Sequence, residues 1–244
     1  MEIYRQNFTP NAQAVDCHGR LKPSTLLAYL QEVAGNHFEL IGNSLDSKGL
    51  FWAVSRHRVI IQRMPTMGET VTVETWPMPT SRVDYPRAMA MYDAQGNLLA
   101  QAVSLWILMD KESRAMVLPG KSGVIVEGIV QGTEPELPRS FSPKDLTQNH
   151  ARTVTYSELD VNGHMNNTRY LDWVADLLPS QYHSAHPAVE FTVCYHAEAR
   201  EGQDISLEWG LSEDGILQVD AHRQRTDVPE KTERVFTAQM TYRT

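Results

Sequence analysis

Two stretches of this chain align without a gap at an offset of 144 residues. Asp16-Cys17-His18-Gly19-Arg20 through Tyr29 lies over Asp160-Val161-Asn162-Gly163-His164 through Trp173. Asp16 meets Asp160, Gly19 meets Gly163, Leu27 meets Leu171, and aromatic Tyr29 meets aromatic Trp173. The likeness continues downstream. Val59 to Arg63 leads to Gly68 and the alternating run Glu69 to Glu74, while Phe191 to Tyr195 leads to Gly202 and the run Gln203 to Glu208. Each reads as a strand, a turn at glycine and a second strand. A repeat of this kind restricts the fold strongly, because the chain must build one unit twice, each a helix followed by strands.

The first copy begins with an extended segment, Met1 to Val15. Pro23 suits the first turn of a helix, and Leu26, Leu27, Leu30, Val33, Ala34 and His37 continue one stripe with Gly42 as its stop. Tyr85 to Tyr92 and Leu98 to Met109 flank the turn Asp93 to Asn97 and read as a hairpin. In the second copy Ile205 to Leu211, the turn Ser212 to Gly215, Ile216 to Arg225 and Arg234 to Tyr242 are the counterparts. Between the copies, eight glycines and prolines fall in residues 117–150, so this segment is a surface connector with one short helix near Lys144 to Gln148. The expected division is 1–116, connector 117–150, and 151–244.

The second copy's leading stretch holds the densest chemistry. If Asp160 to His164 is extended, then Asp160, Asn162 and His164 share a face. Asn166 or Asn167 then caps a helix with the apolar stripe Tyr170, Leu171, Val174, Leu177 and Leu178. Free N–H groups at such a helix mouth can hold an oxyanion. A polar turn before a capped helix is the bland account of the same residues.

Asp-x-x-Gly-His-x-Asn-Asn-x-x-Tyr-Leu, read from Asp160 to Leu171, resembles the signature of hotdog-fold acyl thioesterases. The longer stretch Ser157 to Trp173 resembles the plant and bacterial acyl-acyl carrier protein thioesterases. Trp52 to Arg56, Pro65 to Trp76 and Ser104 to Asp110 are similar to that family as well. The resemblance implies an α+β fold, a tandem double hotdog with two long central helices, each wrapped by an antiparallel sheet, joined into one continuous sheet. It implies hydrolysis of a fatty acyl-acyl carrier protein, with the carrier protein and the acyl thioester as partners. It places Asp160, Asn162, His164 and, about thirty residues on, Glu198 in the active site.

Thioester hydrolysis needs a proton acceptor for water and a donor for the oxyanion. Glu198 and His164 are the water-activating pair on this reading. Asn162 positions water or substrate, and Asp160 orients its neighbours. The first copy carries His18, Arg20 and Met64 at the Asn162, His164 and Glu198 positions, so it is catalytically silent. The family uses that half to hold the acyl chain, here against Trp52, Val54 and Met64. Many plant members carry Cys after the Glu, but this chain has Ala199, which favours direct attack by water. Cys194, His196 and Glu198 alternate along one expected strand, a pattern that strand geometry alone produces, so neither metal nor cofactor is expected.

The net charge of −8 comes from the second half, since residues 1–116 balance at zero. Without a basic stripe, nucleic acid is disfavoured as a partner. The longest apolar run, Leu105 to Met109, is too short to span a membrane. The first residues resemble neither a signal nor a transit peptide, so a cytoplasmic address is the expectation. Cys17 and Cys194 are not expected to pair. An acyl-CoA thioesterase and a non-catalytic acyl-binding hotdog protein are the alternatives, and a homodimer is left open.

Overall fold

The computed structural model describes residues 3–40, 45–225, 228 and 230–244. Gly42, expected to stop the first helix, lies outside the described residues. The chain forms two compact units, Met1–Pro138 and Arg139–Thr244.

In the N-terminal unit the elements are β1 (Tyr4–Phe8), α1 (Pro23–Leu40), β2 (Leu50–Ile61), β3 (Val71–Pro77), β4 (Tyr85–Tyr92), β5 (Leu98–Asp110), β6 (Met116–Val117) and the one-turn α2 (Pro119–Ser122). The sheet is antiparallel throughout, in the order β1-β3-β4-β5-β2, with β6 on β5. Helix α1 starts at Pro23, whose missing N–H costs nothing there. It buries Ser24, Leu26, Leu27, Leu30, Val33, Ala34 and His37 against β1 and β3. The β4–β5 turn is fixed by Asp93, whose Oδ1 accepts the N–H groups of Gln95 and Asn97 at 2.9 and 2.8 Å. Strands β4 and β5 are buried along most of their length, which suits a sheet packed onto a helix.

The C-terminal unit holds β7 (Gln148–Thr153), α3 (Arg169–Ala175), α4 (Ser180–Ala185), β8 (Ala188–Tyr195), β9 (Asp204–Leu211), β10 (Ile216–Gln224) and β11 (Thr232–Tyr242). Its sheet is again antiparallel, in the order β8-β11-β10-β9-β7. Helix α3 presents Tyr170, Leu171, Trp173 and Val174 to the core. The Tyr170 ring meets Phe236 of β11 at 4.7 Å and Tyr195 of β8 at 5.6 Å between centroids. Fully burying each such aromatic contributes about 1.5–3 kcal/mol.

Each unit is thus a sheet wrapped on a helix, the hotdog arrangement, and the fold is α+β. The second helix is much shorter than expected. It has 7 residues, and a separate 6-residue helix comes after it. The cause is Pro179, which disfavours helical backbone at Leu178 and supplies no N–H. The connector also differs from expectation. No helix forms at Lys144 to Gln148; the one-turn helix is α2. Lys144 N–H donates to the Gln218 side chain at 2.8 Å and Thr147 N–H to the Trp209 carbonyl at 3.0 Å. Those backbone donors serve the sheet and are lost to a helix. The Asp145 carbonyl sits where a Cβ of Gly210 would stand, so only glycine fits under that crossing.

Candidate active site

Asp160 to His164 is a closed turn and not the extended run that alternation suggested. Asp160 N–H donates to the His164 carbonyl at 2.7 Å, and Gly163 N–H to the Asp160 carbonyl at 3.0 Å. Gly163 takes φ 74°, a left-handed conformation that favours glycine. The Asp160 carboxylate fills the turn. Its Oδ1 accepts the N–H of Asn162 at 2.8 Å and of His164 at 3.2 Å, and its Oδ2 faces the Asn162 amide nitrogen at 3.4 Å. Asp160 is therefore tied to the loop through its backbone donors. Asn162 is exposed, with its amide turned to Asp160.

The turn is stapled to the segment after β8. Met165 N–H donates to the Ala199 carbonyl at 2.7 Å, beside a bridge between Leu159 and Met165. His164 and Glu198 each precede one end of that staple, and their side chains meet. His164 Nε2 lies 3.3 Å from Glu198 Oε2, with the imidazole 15% and the carboxylate 44% exposed. So the turn, not a shared strand face, brings the two together. Glu198 itself lies past the end of β8, in the loop beyond it. The expected row Cys194, His196, Glu198 does not form: buried Cys194 has its Sγ 3.9 Å from the Arg139 carbonyl, and His196 faces Thr237 at 3.4 Å.

Two further residues bear on Glu198, and neither stood out in the sequence. Arg223 on β10 donates from Nη1 to the Glu198 carbonyl at 2.6 Å and to Gln203 Oε1 at 2.5 Å. Its Nε and Nη2 grip Glu233 Oε2 at 3.0 and 2.7 Å. No local pattern marks an arginine on a distant strand. Tyr170 read only as helix core. Burial raises its hydroxyl well above the usual tyrosine range, and Ala199, Glu198 and Asp160 are near enough to act on it.

The helix mouth offers less than expected. Asn166 Oδ1 accepts the Thr168 N–H at 2.9 Å and hydroxyl at 2.8 Å, and the Asn166 carbonyl accepts Arg169 N–H at 2.9 Å. These bonds make a turn at Asn166 just ahead of α3, whose N-cap position is Thr168 and not Asn166 or Asn167, and they leave those donors occupied. Below them Thr155 and Glu158 form a capping box, and Trp173 Nε1 donates to Glu158 Oε1 at 2.5 Å.

The first copy repeats the scaffold bond for bond. Asp16 Oδ1 accepts the N–H of His18 at 2.9 Å and of Arg20 at 3.0 Å, and Gly19 takes φ 75°. Leu21 N–H donates to the Pro65 carbonyl at 2.8 Å, as Met165 does to Ala199. Met64 thus stands where Glu198 stands. Arg20, in place of His164, turns back onto Asp16 Oδ2 at 3.3 and 3.2 Å. The scaffold is present, and the imidazole–carboxylate pair is not.

The N-terminal unit carries an open apolar cavity of about 210 Å³, lined among others by Phe38, Trp52, Tyr85, Arg87, Trp106 and Val126. Trp52 belongs to this lining. Val54 is buried elsewhere in β2, and half-buried Met64 lies in the loop after it, so neither lines the cavity.

Residues 1–118 match the acyl-ACP thioesterase N-terminal domain, and residues 142–238 match the acyl-ACP thioesterase C-terminal domain. The chain belongs to the acyl-ACP thioesterase family. It is 28% identical over 224 residues to the chloroplastic palmitoyl-acyl carrier protein thioesterase of Gossypium hirsutum, covering 84% of this chain and 54% of that protein. The chain spans about half the length of the curated relatives it matches. An acyl-ACP thioesterase of Bacteroides thetaiotaomicron has the same fold at TM-score 0.86 and 24% identity, over 99% of this chain and 98% of that one. The 12:0-ACP thioesterase of Umbellularia californica gives TM-score 0.81 at 22% identity, over 99% and 97% of the two chains. In this member of the family, the tandem repeat is one scaffold used twice, with the acid and imidazole in its second copy only.

Proposed function

We propose that this protein hydrolyses the thioester of fatty acyl-acyl carrier protein, releasing free fatty acid and ending chain elongation. One observation supports this above the others: the His164–Glu198 contact at 3.3 Å, inside the segment matched to the C-terminal thioesterase domain. Glu198, the more exposed partner, takes the proton from water as its oxygen attacks the thioester carbonyl. His164, through Nε2–H, holds the carboxylate in place. Collapse of the tetrahedral intermediate breaks the C–S bond, and the proton taken from water returns to the carrier's thiolate. Asn162, at the tip of the turn, positions water or the carbonyl. The silent N-terminal unit, with its apolar cavity, is assigned the acyl chain, and the cytoplasm is the compartment proposed. The test is turnover by the purified protein on acyl-acyl carrier proteins of several chain lengths, beside acyl-CoA of the same chains. Faster release from the carrier protein supports this reading. Preference for CoA moves the assignment to an acyl-CoA thioesterase, and binding without turnover makes the protein a non-catalytic acyl binder.

Two substitutions check the roles. Arg20→Ala removes a side chain that turns back onto Asp16, so it spares the chemical step, whereas His164→Ala does not. Equal collapse in both folded variants, measured by single-turnover kinetics, defeats the silent first half. The thiols are exposed Cys17 and buried Cys194, and neither directly succeeds Glu198 in the chain. A Cys17→Ala, Cys194→Ala double variant therefore keeps most of the turnover. An acyl-enzyme trapped on either sulfur, seen by mass spectrometry, overturns attack by water.

A further inference from the structure

The loop that carries Glu198 is tied to the sheet by an arginine on a neighbouring strand. Residues 196–203 join β8 to β9. Backbone bonds hold both ends of this loop. His196 and Ala197 N–H donate to the Val235 carbonyl at 2.9 and 3.1 Å, and Gly202 N–H donates to the Val154 carbonyl at 2.9 Å. Between these ends the Glu198 carbonyl accepts Arg223 Nη1 at 2.6 Å, and the same nitrogen reaches Gln203 Oε1 at 2.5 Å. Gln203 Oε1 also accepts Arg200 N–H at 2.9 Å, so one guanidinium group gathers the loop from Glu198 to Gln203. The other side of that group is seated on Glu233, its cross-strand partner on β11, through Nε at 3.0 Å and Nη2 at 2.7 Å. A planar fork held on both sides has a fixed orientation, and each of its bonds is charge-assisted.

The first copy builds the same loop and holds it differently. There Thr66 N–H donates to Glu69 Oε2 at 3.0 Å, as Arg200 N–H does to Gln203. The cation is Arg63, which belongs to the loop itself. It takes the two Glu69 oxygens at 2.9 and 2.7 Å and lies 3.4 Å from the Met64 carbonyl, the counterpart of the Glu198 carbonyl. Strand register puts Asp93 at the place of Arg223. Thr72 of β3 pairs with Tyr92, Ser206 of β9 pairs with His222, and Asp93 and Arg223 come directly after those partners. Asp93 Oδ2 stands 3.8 Å from Arg63. The cation has therefore changed sides between the copies. A cation that rides on the loop closes the loop on itself, whereas one that stands on a strand fixes the loop to the sheet. The copy with the second arrangement is the one that carries the imidazole–carboxylate pair.

We propose that Arg223 is a positioning residue for hydrolysis: by holding the Glu198 carbonyl to the sheet, it keeps the Glu198 carboxylate against His164. The inference rests on the hydrolytic reading for its kinetic readout, and a second readout needs no turnover. The variants are Arg223→Gln, Arg223→Lys, Glu233→Gln and, in the first copy, Arg63→Gln, each shown folded by circular dichroism. On acyl-acyl carrier protein, Arg223→Gln lowers kcat by roughly 10²-fold with KM little changed, the scale of a displaced reacting group. Arg223→Lys keeps the charge without the fork and recovers part of that loss. Arg63→Gln keeps the kcat of the unaltered protein. The readout without turnover is the NMR signal of the His164 ring nitrogens, which report the contact with Glu198. In Arg223→Gln these signals move toward those of Glu198→Gln, and in Arg63→Gln they stay. His164 signals in a folded Arg223→Gln that match the unaltered protein overturn the proposal. So does a fall in kcat of the same size in Arg63→Gln, since the effect is then one of general stability. Where Arg223→Gln does not fold, Glu233→Gln decides, its carboxylate being 39% exposed: the signals move in the same direction by less, and unmoved signals overturn the proposal. Failure of the unaltered protein to hydrolyse any carrier substrate, with the signals moved in Arg223→Gln, removes the enzymatic reading and leaves the placing of Glu198 by Arg223 standing.

Discussion

Glu198→Gln lowers turnover on acyl-acyl carrier protein by roughly 10²–10⁴-fold, the usual effect of losing a positioned general base. The substitution keeps the shape of the side chain and its ability to hydrogen-bond His164 across 3.3 Å. It removes only the basic oxygen. Apparent substrate affinity therefore changes little, which places the loss in the transition state. The loop itself is unaffected, because Arg223 grips the Glu198 carbonyl and not its carboxylate. His164→Ala falls by a similar factor, since it removes the imidazole that meets the carboxylate. If the two act as one unit, the double variant is little worse than either single variant. Near-normal turnover by a folded Glu198→Gln protein, measured in single-turnover experiments, takes Glu198 out of the mechanism and leaves His164 as the base.

The elements were legible where a local pattern decides them. The alignment of Asp16 with Asp160 reappears as matching turns, each closed by glycine with positive φ and filled by an aspartate side chain. The hairpin β4–β5 and strands β9 to β11 fall where alternation and turn residues put them. The stripe on α1 is the buried face. What local pattern misjudged was the conformation between elements. Asp160, Asn162 and His164 alternate in sequence, yet Asp-x-x-Gly is also a turn, and the Asp160 bonds to the backbone decide for the turn. Helix α3 carries a stripe longer than the helix itself, because a proline outranks apolar spacing. Residues that act across the sheet left no trace. Arg223 reaches Glu198 over 25 positions, and Arg87 meets His37 over 50. Such contacts depend on strand order, which a single sequence does not display.

Acidification weakens the folded state well before carboxylates titrate, and two histidines of the N-terminal unit are the cause. His57 is fully buried between Ser104 Oγ at 2.5 Å from Nδ1 and the Gln31 side chain at 3.0 Å from Nε2. Burial pushes it down to about 3, and His37 is pushed down to about 4 by burial and by Arg87. In the unfolded chain each returns to about 6.5. Between 6.5 and the folded values the unfolded state binds more protons, so stability rises with pH across that window. The contribution is fully present above about 6.5 and is lost as pH falls toward 4 and then 3. Each buried neutral histidine sets a slope of about 1.4 kcal/mol per pH unit. From pH 6.5 to 5, His57 alone accounts for roughly 2 kcal/mol, a large share of a total stability of about 5–15 kcal/mol. His37 acts in the same direction. Urea unfolding at pH 7.5, 6.5, 5.5 and 5.0 measures the slope, above the range where most aspartates and glutamates change state. His57→Gln keeps a polar group between Ser104 and Gln31 while removing the titration, so its stability falls less steeply with pH than that of the unaltered protein. Parallel slopes in the two proteins mean that His57 already carries its proton when folded. The buried Ser104–His57–Gln31 chain then needs a different assignment of donors.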